Sequence, residues 1–332
     1  MTRGWLLVLL VVGCGDNITG TPLAEFQAEA DAARCSYFVR CGLFASADTC
    51  AAFFRDRPDV NVDAALAAGK VFYNGVNAEK CHAALAAQSC DLSSREGRVL
   101  PDACDHIFGG TLDEGETCAF DAECSSGRCD TSGCAADATC CSGACLGRRE
   151  RADIGGACDT SADCVVDSFC TPEHVCAALV AEAGECRADA ECGYGLACIG
   201  ASELQPGNCR AMPLLGESCP YLRCAEIEAT CSATSHTCVA LGLPGAPCAS
   251  GADCSPFARC DEATMTCADV PTLGMACQGA CAGEAFCDVS GSMTCAAPLP
   301  NTSPCSSDDQ CASLFCAEGP VFDACDDRQA CF

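Results

Sequence analysis

Positive charge is what this sequence has least of. Lys70 and Lys80 are its two lysines, and Lys plus Arg total 18 against 46 carboxylates, for a formal net charge of −28 at pH 7. Such a surface repels phosphate backbones, which excludes DNA and RNA as partners. Aromatic residues are also scarce. The 14 Phe, 4 Tyr and 1 Trp in 332 residues are too few to fill the cores of the two or three ordinary domains that this length allows. No apolar run approaches the roughly 18 to 20 residues of a membrane-spanning helix.

Cysteine is what the chain has instead. Its 39 cysteines mark a disulfide scaffold or a metal-thiolate protein. Zinc sites pair their cysteines as C-x2-C, with further Cys or His at set spacing, and no C-x-x-C occurs in this chain. The four histidines, His82, His106, His174 and His236, stand singly and read as packing or surface residues. No metal or cofactor is expected. Thirty-nine is odd, and the first segment accounts for the odd cysteine.

Met1-Thr2-Arg3 is a short positive start, and 5–12 is an apolar run of eight residues ending in Val11-Val12-Gly13-Cys14. A run this short reads as an export signal. The ending resembles the lipobox of bacterial lipoproteins, in which a small residue precedes a cysteine that receives diacylglycerol. The resemblance implies cleavage after Gly13, a lipid on Cys14 and membrane attachment through it, followed by a linker over 14–21. Gly15, where an aspartate would mean inner-membrane retention, points to the bacterial outer membrane. Thirty-eight cysteines remain, an even number suited to an oxidising compartment.

The rest of the chain divides near residue 111. Residues 21–110 carry 12 acidic and 8 basic side chains, whereas 111–332 carry 33 and 9. The segment 22–110 is Ala-rich and helical in period, with Phe26, Ala30, Ala33, Tyr37 and Cys41 on one face. Further helices are expected over 47–54 with Ser46 as N-cap, over 60–68 ending at Gly69, after Asn77 as N-cap, and from Pro101 to Phe108. Six cysteines lie here: Cys35, Cys41, Cys50, Cys81, Cys90 and Cys104. Cys35 and Cys41, six apart on one helix, point about 120° away from each other and must reach different partners. The preferred pairing joins Cys41 to Cys50 across Gly42 and Cys35 to Cys81 or Cys104. Six cysteines allow about fifteen connectivities.

Beyond 111 the chain repeats itself. Seven units open near 115, 155, 183, 216, 245, 274 and 302, as in Gly115-Glu116-Thr117-Cys118 and Gly245-Ala246-Pro247-Cys248. Successive starts lie 40, 28, 33, 29, 29 and 28 residues apart. The internal spacing is close to C-x5-C-x5-C-x6-C, as in Cys248, Cys254, Cys260 and Cys267. An acidic residue usually precedes the second cysteine (Glu123, Asp163, Glu191, Asp253), and the acidic residues of the repeats read as a solvated face. The segment between the third and fourth cysteines reads as a short β-hairpin. A unit of this size buries too little to fold unaided, and two disulfides, each contributing about 2–4 kcal/mol, supply the deficit. The fold class expected is therefore a small disulfide-rich tandem array of short β-hairpins and loops, preceded by a small disulfide-stapled helical domain.

The first unit, Cys118-Ala119-Phe120-Asp121-Ala122-Glu123-Cys124-Ser125-Ser126-Gly127-Arg128-Cys129 followed by Cys140-Cys141, resembles the modules of cysteine-rich lipoproteins from myxobacteria and related large-genome bacteria. Those modules are similar to the Dickkopf N-terminal cysteine-rich domain. The resemblance spans 115–332 by spacing, and Cys35-Ser36-Tyr37-Phe38-Val39-Arg40-Cys41-Gly42 resembles the helical region that precedes such modules. It implies a secreted or surface-anchored protein and carries no receptor function.

Catalytic motifs are absent. There is no G-x-S-x-G, and its near match Gly143-Ala144-Cys145-Leu146-Gly147 uses a cysteine expected in a disulfide. Gly69-Lys70 is followed by Val71 and makes no P-loop. Gly193-Tyr194-Gly195 leads to Cys198 where a dinucleotide fold needs a third glycine. Asp59-Val60-Asn61-Val62-Asp63 imitates the start of a calcium loop, but Ala64 replaces the required glycine and Lys70 the closing glutamate. A non-enzymatic role follows, as an interaction or adhesion module for an extracellular protein or surface ligand. One basic cluster, Arg148, Arg149 and Arg151, lies between the first and second units. It is either a protease-sensitive linker or the bait loop of a protease inhibitor. The third reading is a passive spacer.

Overall fold

The computed structural model describes residues 20–54, 60–134, 141–148, 150–202, 204–220, 223–289, 291–313, 315–317 and 323–326. The export segment, Cys14, Cys140, Arg149 and Cys331 lie outside them.

Helix α1 is Phe26–Arg40 and buries Ala33, Cys35 and Tyr37. It stops where Gly42 takes φ +69°. There Gly42 N–H donates to Val39 O and Leu43 N–H to Phe38 O, the paired bonds that close a helix on a left-handed glycine. Helix α2, Ala47–Phe53, starts at the expected cap, Ser46, whose side chain accepts from Thr49 N–H. Helix α3, Val60–Ala67, ends at Gly69 with the same pair of bonds, Gly69 N–H to Leu66 O and Lys70 N–H to Ala65 O. The calcium-loop imitation therefore falls on a helix in its described part, from Val60 on. Helix α4 is Gly75–Ala87, and its cap is Asn74, one turn before the expected Asn77. The chain leaves a strand, Val71–Tyr73 (β1), immediately before, so Asn74 is the first extended residue able to cap. Asn77 instead donates from Nδ2 to His106 O at 2.9 Å.

Short helices α5 (Arg95–Arg98) and α6 (Asp102–Asp105) follow, the latter entered from Pro101 as expected. It ends before Phe108, because Phe108–Gly110 (β2) pairs antiparallel with β1. The helices pack α1 on α2 and α4, and α4 on α6. Cys35–Cys50, Cys41–Cys90 and Cys81–Cys104 bind them together. The expected Cys41–Cys50 bond is therefore incorrect, as is the pairing of Cys35 with Cys81 or Cys104. The divergence of Cys35 and Cys41 around α1 does hold, but it sends Cys35 to α2 and Cys41 across to Cys90, past the end of α4.

The array consists of two- and three-stranded antiparallel hairpins. In every unit the first cysteine bonds the third, and in the second to seventh units the second bonds the fourth, as in Cys248–Cys260 and Cys254–Cys267; in the first unit the second, Cys124, bonds the last, Cys145. The third and fourth cysteines are cross-strand partners, with Cys260 opposite Cys267 and Cys170 opposite Cys176, yet each bonds back to the incoming loop. Two staples thus pin that loop across the hairpin. The first unit adds Cys134–Cys141. The third lengthens its hairpin, Leu196–Ile199 against Gly207–Ala211, which accounts for its wide Cys198-to-Cys209 spacing.

Backbone bonds repeat as faithfully as the sulfurs. Three residues before each first cysteine, Gly115, Gly155, Ala183, Gly216, Gly245, Gly274 and Thr302 all have positive φ. Each donates its N–H to the carbonyl of the cysteine that bonds the unit's second, the fourth in most units and Cys145 in the first. This explains the glycine that opens most units, since other residues pay a steric penalty in that conformation. The acidic residues before the second cysteine are not a solvated face. Asp253 accepts from the N–H groups of Ala249 and Ser250 at 2.8 and 2.9 Å. Asp163, Glu191 and Glu123 do the same at Asp159, Arg187 and Ala119. These backbone bonds hold the Asp253 carboxyl below its ordinary pKa.

Candidate interaction surfaces

The hairpins turn back onto the helices at several points, and these contacts define the surfaces left for a partner. In the first unit Glu123 is fully buried, and its carboxylate lies 3.0 Å from Lys70 Nζ, just past the end of α3. Next, Arg95 of α5 pairs with Asp167 at 3.5 Å, and Tyr194 donates to the same carboxylate at 2.7 Å. The Asp167 charge raises the pKa of Arg95. In the fourth unit the chain forms an antiparallel bridge with the segment after α4, Asp91 opposite Glu226, with Leu92 N–H to Ala225 O and Ile227 N–H to Cys90 O.

The fifth unit makes the most apolar contact. Ser255, buried, donates from Oγ to Leu43 O at 2.6 Å. Phe257 stacks on Phe44 with centroids 4.5 Å apart, and meets Phe38 and Phe53 at 5.1 Å. The sixth unit adds Gly283 N–H to Phe53 O. The fourth and sixth units are also the irregular ones. Pro213 and Pro271 stand where most other units use an N–H to bond the residue before their second cysteine, as Gly242 does with Asp253 O. Proline lacks that donor, and the loop to the second cysteine is shorter in both, Cys219 to Cys224 and Cys277 to Cys281. Those shortened loops lead directly into the backbone contacts with the helical region.

Arg148 and Arg151 are exposed on the segment between Cys145 and Cys158, outside every disulfide loop closed among the described residues. Arg151 lines an open cavity of about 540 Å³ with Arg95, Val99, Leu100 and Val166. Cys145 is bonded to Cys124, so the near match to a nucleophile elbow has no thiol. Sulfur triplets such as Cys248, Cys254 and Cys267 are close enough to share an ion, but all are in disulfides and lack the thiolate that binds metal. His174 and His236 occupy positive-φ turn positions of their hairpins. His106 holds Asp102 O at 2.7 Å, and His82 is buried beside Glu29 and Phe26.

Exposed aliphatic side chains recur on the outer turns. Four residues before the first cysteine of the second, fourth and sixth units stand Ile154, Leu215 and Leu273, at 63, 52 and 63 % exposure. The first, third, fifth and seventh units have Glu114, Glu182, Pro244 and Asn301 there. Leu204, at the tip of the long hairpin, is 97 % exposed. The unit spacing made the array visible in the sequence, but nothing in the cysteine pattern marked these positions.

No family model matches the chain, and neither do any curated proteins or solved structures. The chain is a disulfide-rich repeat protein of hairpin units behind a small helical region. Its eighteen described disulfides belong to an oxidising, extracytoplasmic environment. Among the described residues no helix is long and apolar enough to cross a membrane.

Proposed function

We propose that this protein is a non-catalytic lipoprotein of the bacterial cell envelope, anchored in the outer membrane through Cys14, whose array binds an extracellular protein or surface ligand. The observation that carries this reading is the division of labour within each unit. Cysteines, opening glycine and acidic cap are spent on holding the hairpin, while the outward turn positions vary freely between charged and aliphatic residues. That is the behaviour of a scaffold presenting a surface. The resemblance to cysteine-rich lipoprotein modules supports the same reading.

The test is labelling of intact cells with a membrane-impermeant amine and carboxylate reagent, together with fractionation of a Cys14→Ser variant. The reading requires labelled protein in the envelope and release of the variant from membranes. Protein confined to the cytoplasm with unprocessed Met1 refutes it.

A second reading, protease inhibition at Arg148, Arg149 and Arg151, is favoured by the exposure of Arg148 and Arg151. It requires stoichiometric inhibition of a trypsin-like enzyme that disappears in Arg149→Ala. Cleavage there without inhibition makes the segment a linker. A passive spacer is disfavoured by the hydrogen bonds and ring contacts that return the array to the helices.

A further inference from the structure

Where α2 meets the fifth and sixth units, the chain encloses a half-open cavity of about 420 Å³. This is within the range of small-molecule sites, which favour the seams between packed regions. Phe44, Phe53, Phe257 and Met275 supply its apolar wall, and Asp48 and Asp269 supply carboxylates. No Lys, Arg or His lines it among the described residues, and none of them is found ion-paired with Asp48 or Asp269. Three other cavities at comparable seams contain arginine: Arg95 and Arg151 in one, Arg34 in another, Arg223 in a third. Here, among the described residues, no cationic side chain in the lining offsets the two carboxylates.

The three phenylalanines belong to the aromatic cluster that joins Phe257 to the helices. That cluster already holds a cation elsewhere: the Arg34 guanidinium carbon sits 5.0 Å from the centroid of Phe54. Aromatic rings attract cations through their quadrupole, and the attraction strengthens as water is excluded. Carboxylates beside such rings select positive over neutral ligands of the same shape. We propose that this cavity binds a small organic cation with an apolar body, of the quaternary ammonium class. The site does not depend on which ligand the array's outer turns engage.

The experiment is calorimetric titration of the full mature chain with benzyltrimethylammonium, beside the neutral alcohol 4-phenylbutan-1-ol as a control of similar apolar size. The expected result is one saturable site for the cation, favoured over the alcohol at least about fivefold. The Asp48→Asn, Asp269→Asn double variant replaces two exposed carboxylates and should weaken the cation by a similar factor while leaving the alcohol unchanged. Unchanged far-ultraviolet dichroism and disulfide content of that variant confirm that it folds. No saturable binding at millimolar probe overturns the proposal. So does equal binding of cation and alcohol, or undiminished affinity in the double variant.

Discussion

Residues 22–110 gather Leu43, Phe44, Phe38 and Phe53 around Cys35–Cys50, and Ile107, Phe26 and Tyr73 around Cys81–Cys104. A unit of the array buries mainly its own sulfurs: Cys158, Cys164 and Cys176 form the core of the second unit, with Ala152 and Cys170 against it, and Phe169 is its one large buried apolar side chain among the described residues. The helical region would retain an apolar nucleus without its disulfides, whereas a unit would not. Covalent staples and a fixed set of backbone bonds replace hydrophobic burial when about 29 residues must fold on their own. The fifth unit is the instructive exception, because Phe257 places it in the helical core as well.

The comparison breaks most clearly at the disulfides. Replacing both Cys164 and Cys176 by Ala should cost the second unit about 2–5 kcal/mol. Hydrogen exchange should then report loss of protection over 168–178, with the other hairpins unaffected. Replacing both Cys81 and Cys104 should lower the melting temperature of the helical region without erasing its helicity, since Ala78 and Ile107 remain packed. Next in size, Phe257→Ala should cost about 3 kcal/mol. Its signature is loss of protection in α1 and α2, far away in sequence, and an array independent of the helices would show none.

How much of this was legible in the sequence follows from range. Ser46 as a cap, Gly69 as a helix stop and the hairpin between Cys260 and Cys267 were readable because their chemistry lies within a few residues. The cap of α4 is Asn74 and not Asn77, because a three-residue strand, too short to show a period in the sequence, delivers the chain to Asn74. Cys41 and Cys90 are 49 residues apart, and Ser255 and Leu43 are 212 apart. Nothing local encodes such pairs, so neither the helical disulfides nor the return of the array onto the helices is legible in the sequence. The acidic residue before the second cysteine is visible in the sequence, but its role as a backbone cap depends on loop geometry that the two crossed disulfides create.

Two smaller effects sharpen the comparison. Because backbone N–H groups hold the Asp253 carboxyl below its ordinary pKa, its contribution is present above the unfolded value, near about 3.9. It is lost as pH falls through the lower folded value. Exchange protection of 258–269 should be level above about pH 5 and decline on acidification, and Asp253→Asn should remove that dependence. Smallest of all, Ala183→Gly and Thr302→Gly should stabilise the third and seventh units by about 0.5–1 kcal/mol, by relieving a left-handed backbone that glycine adopts freely. Denaturant titration of each variant measures the gain, and a loss at both positions would mean that the positive φ is not strained.

Proteolytic mapping of disulfides in the native, unreduced protein by mass spectrometry bears most directly on the central claim, that each unit is a hairpin crossed by two interlocked staples. The second to seventh units should yield first-to-third and second-to-fourth links, Cys248–Cys260 and Cys254–Cys267 among them, and the first unit Cys118–Cys129 and Cys124–Cys145. Free thiols throughout the array, or links between first and second cysteines, would contradict it.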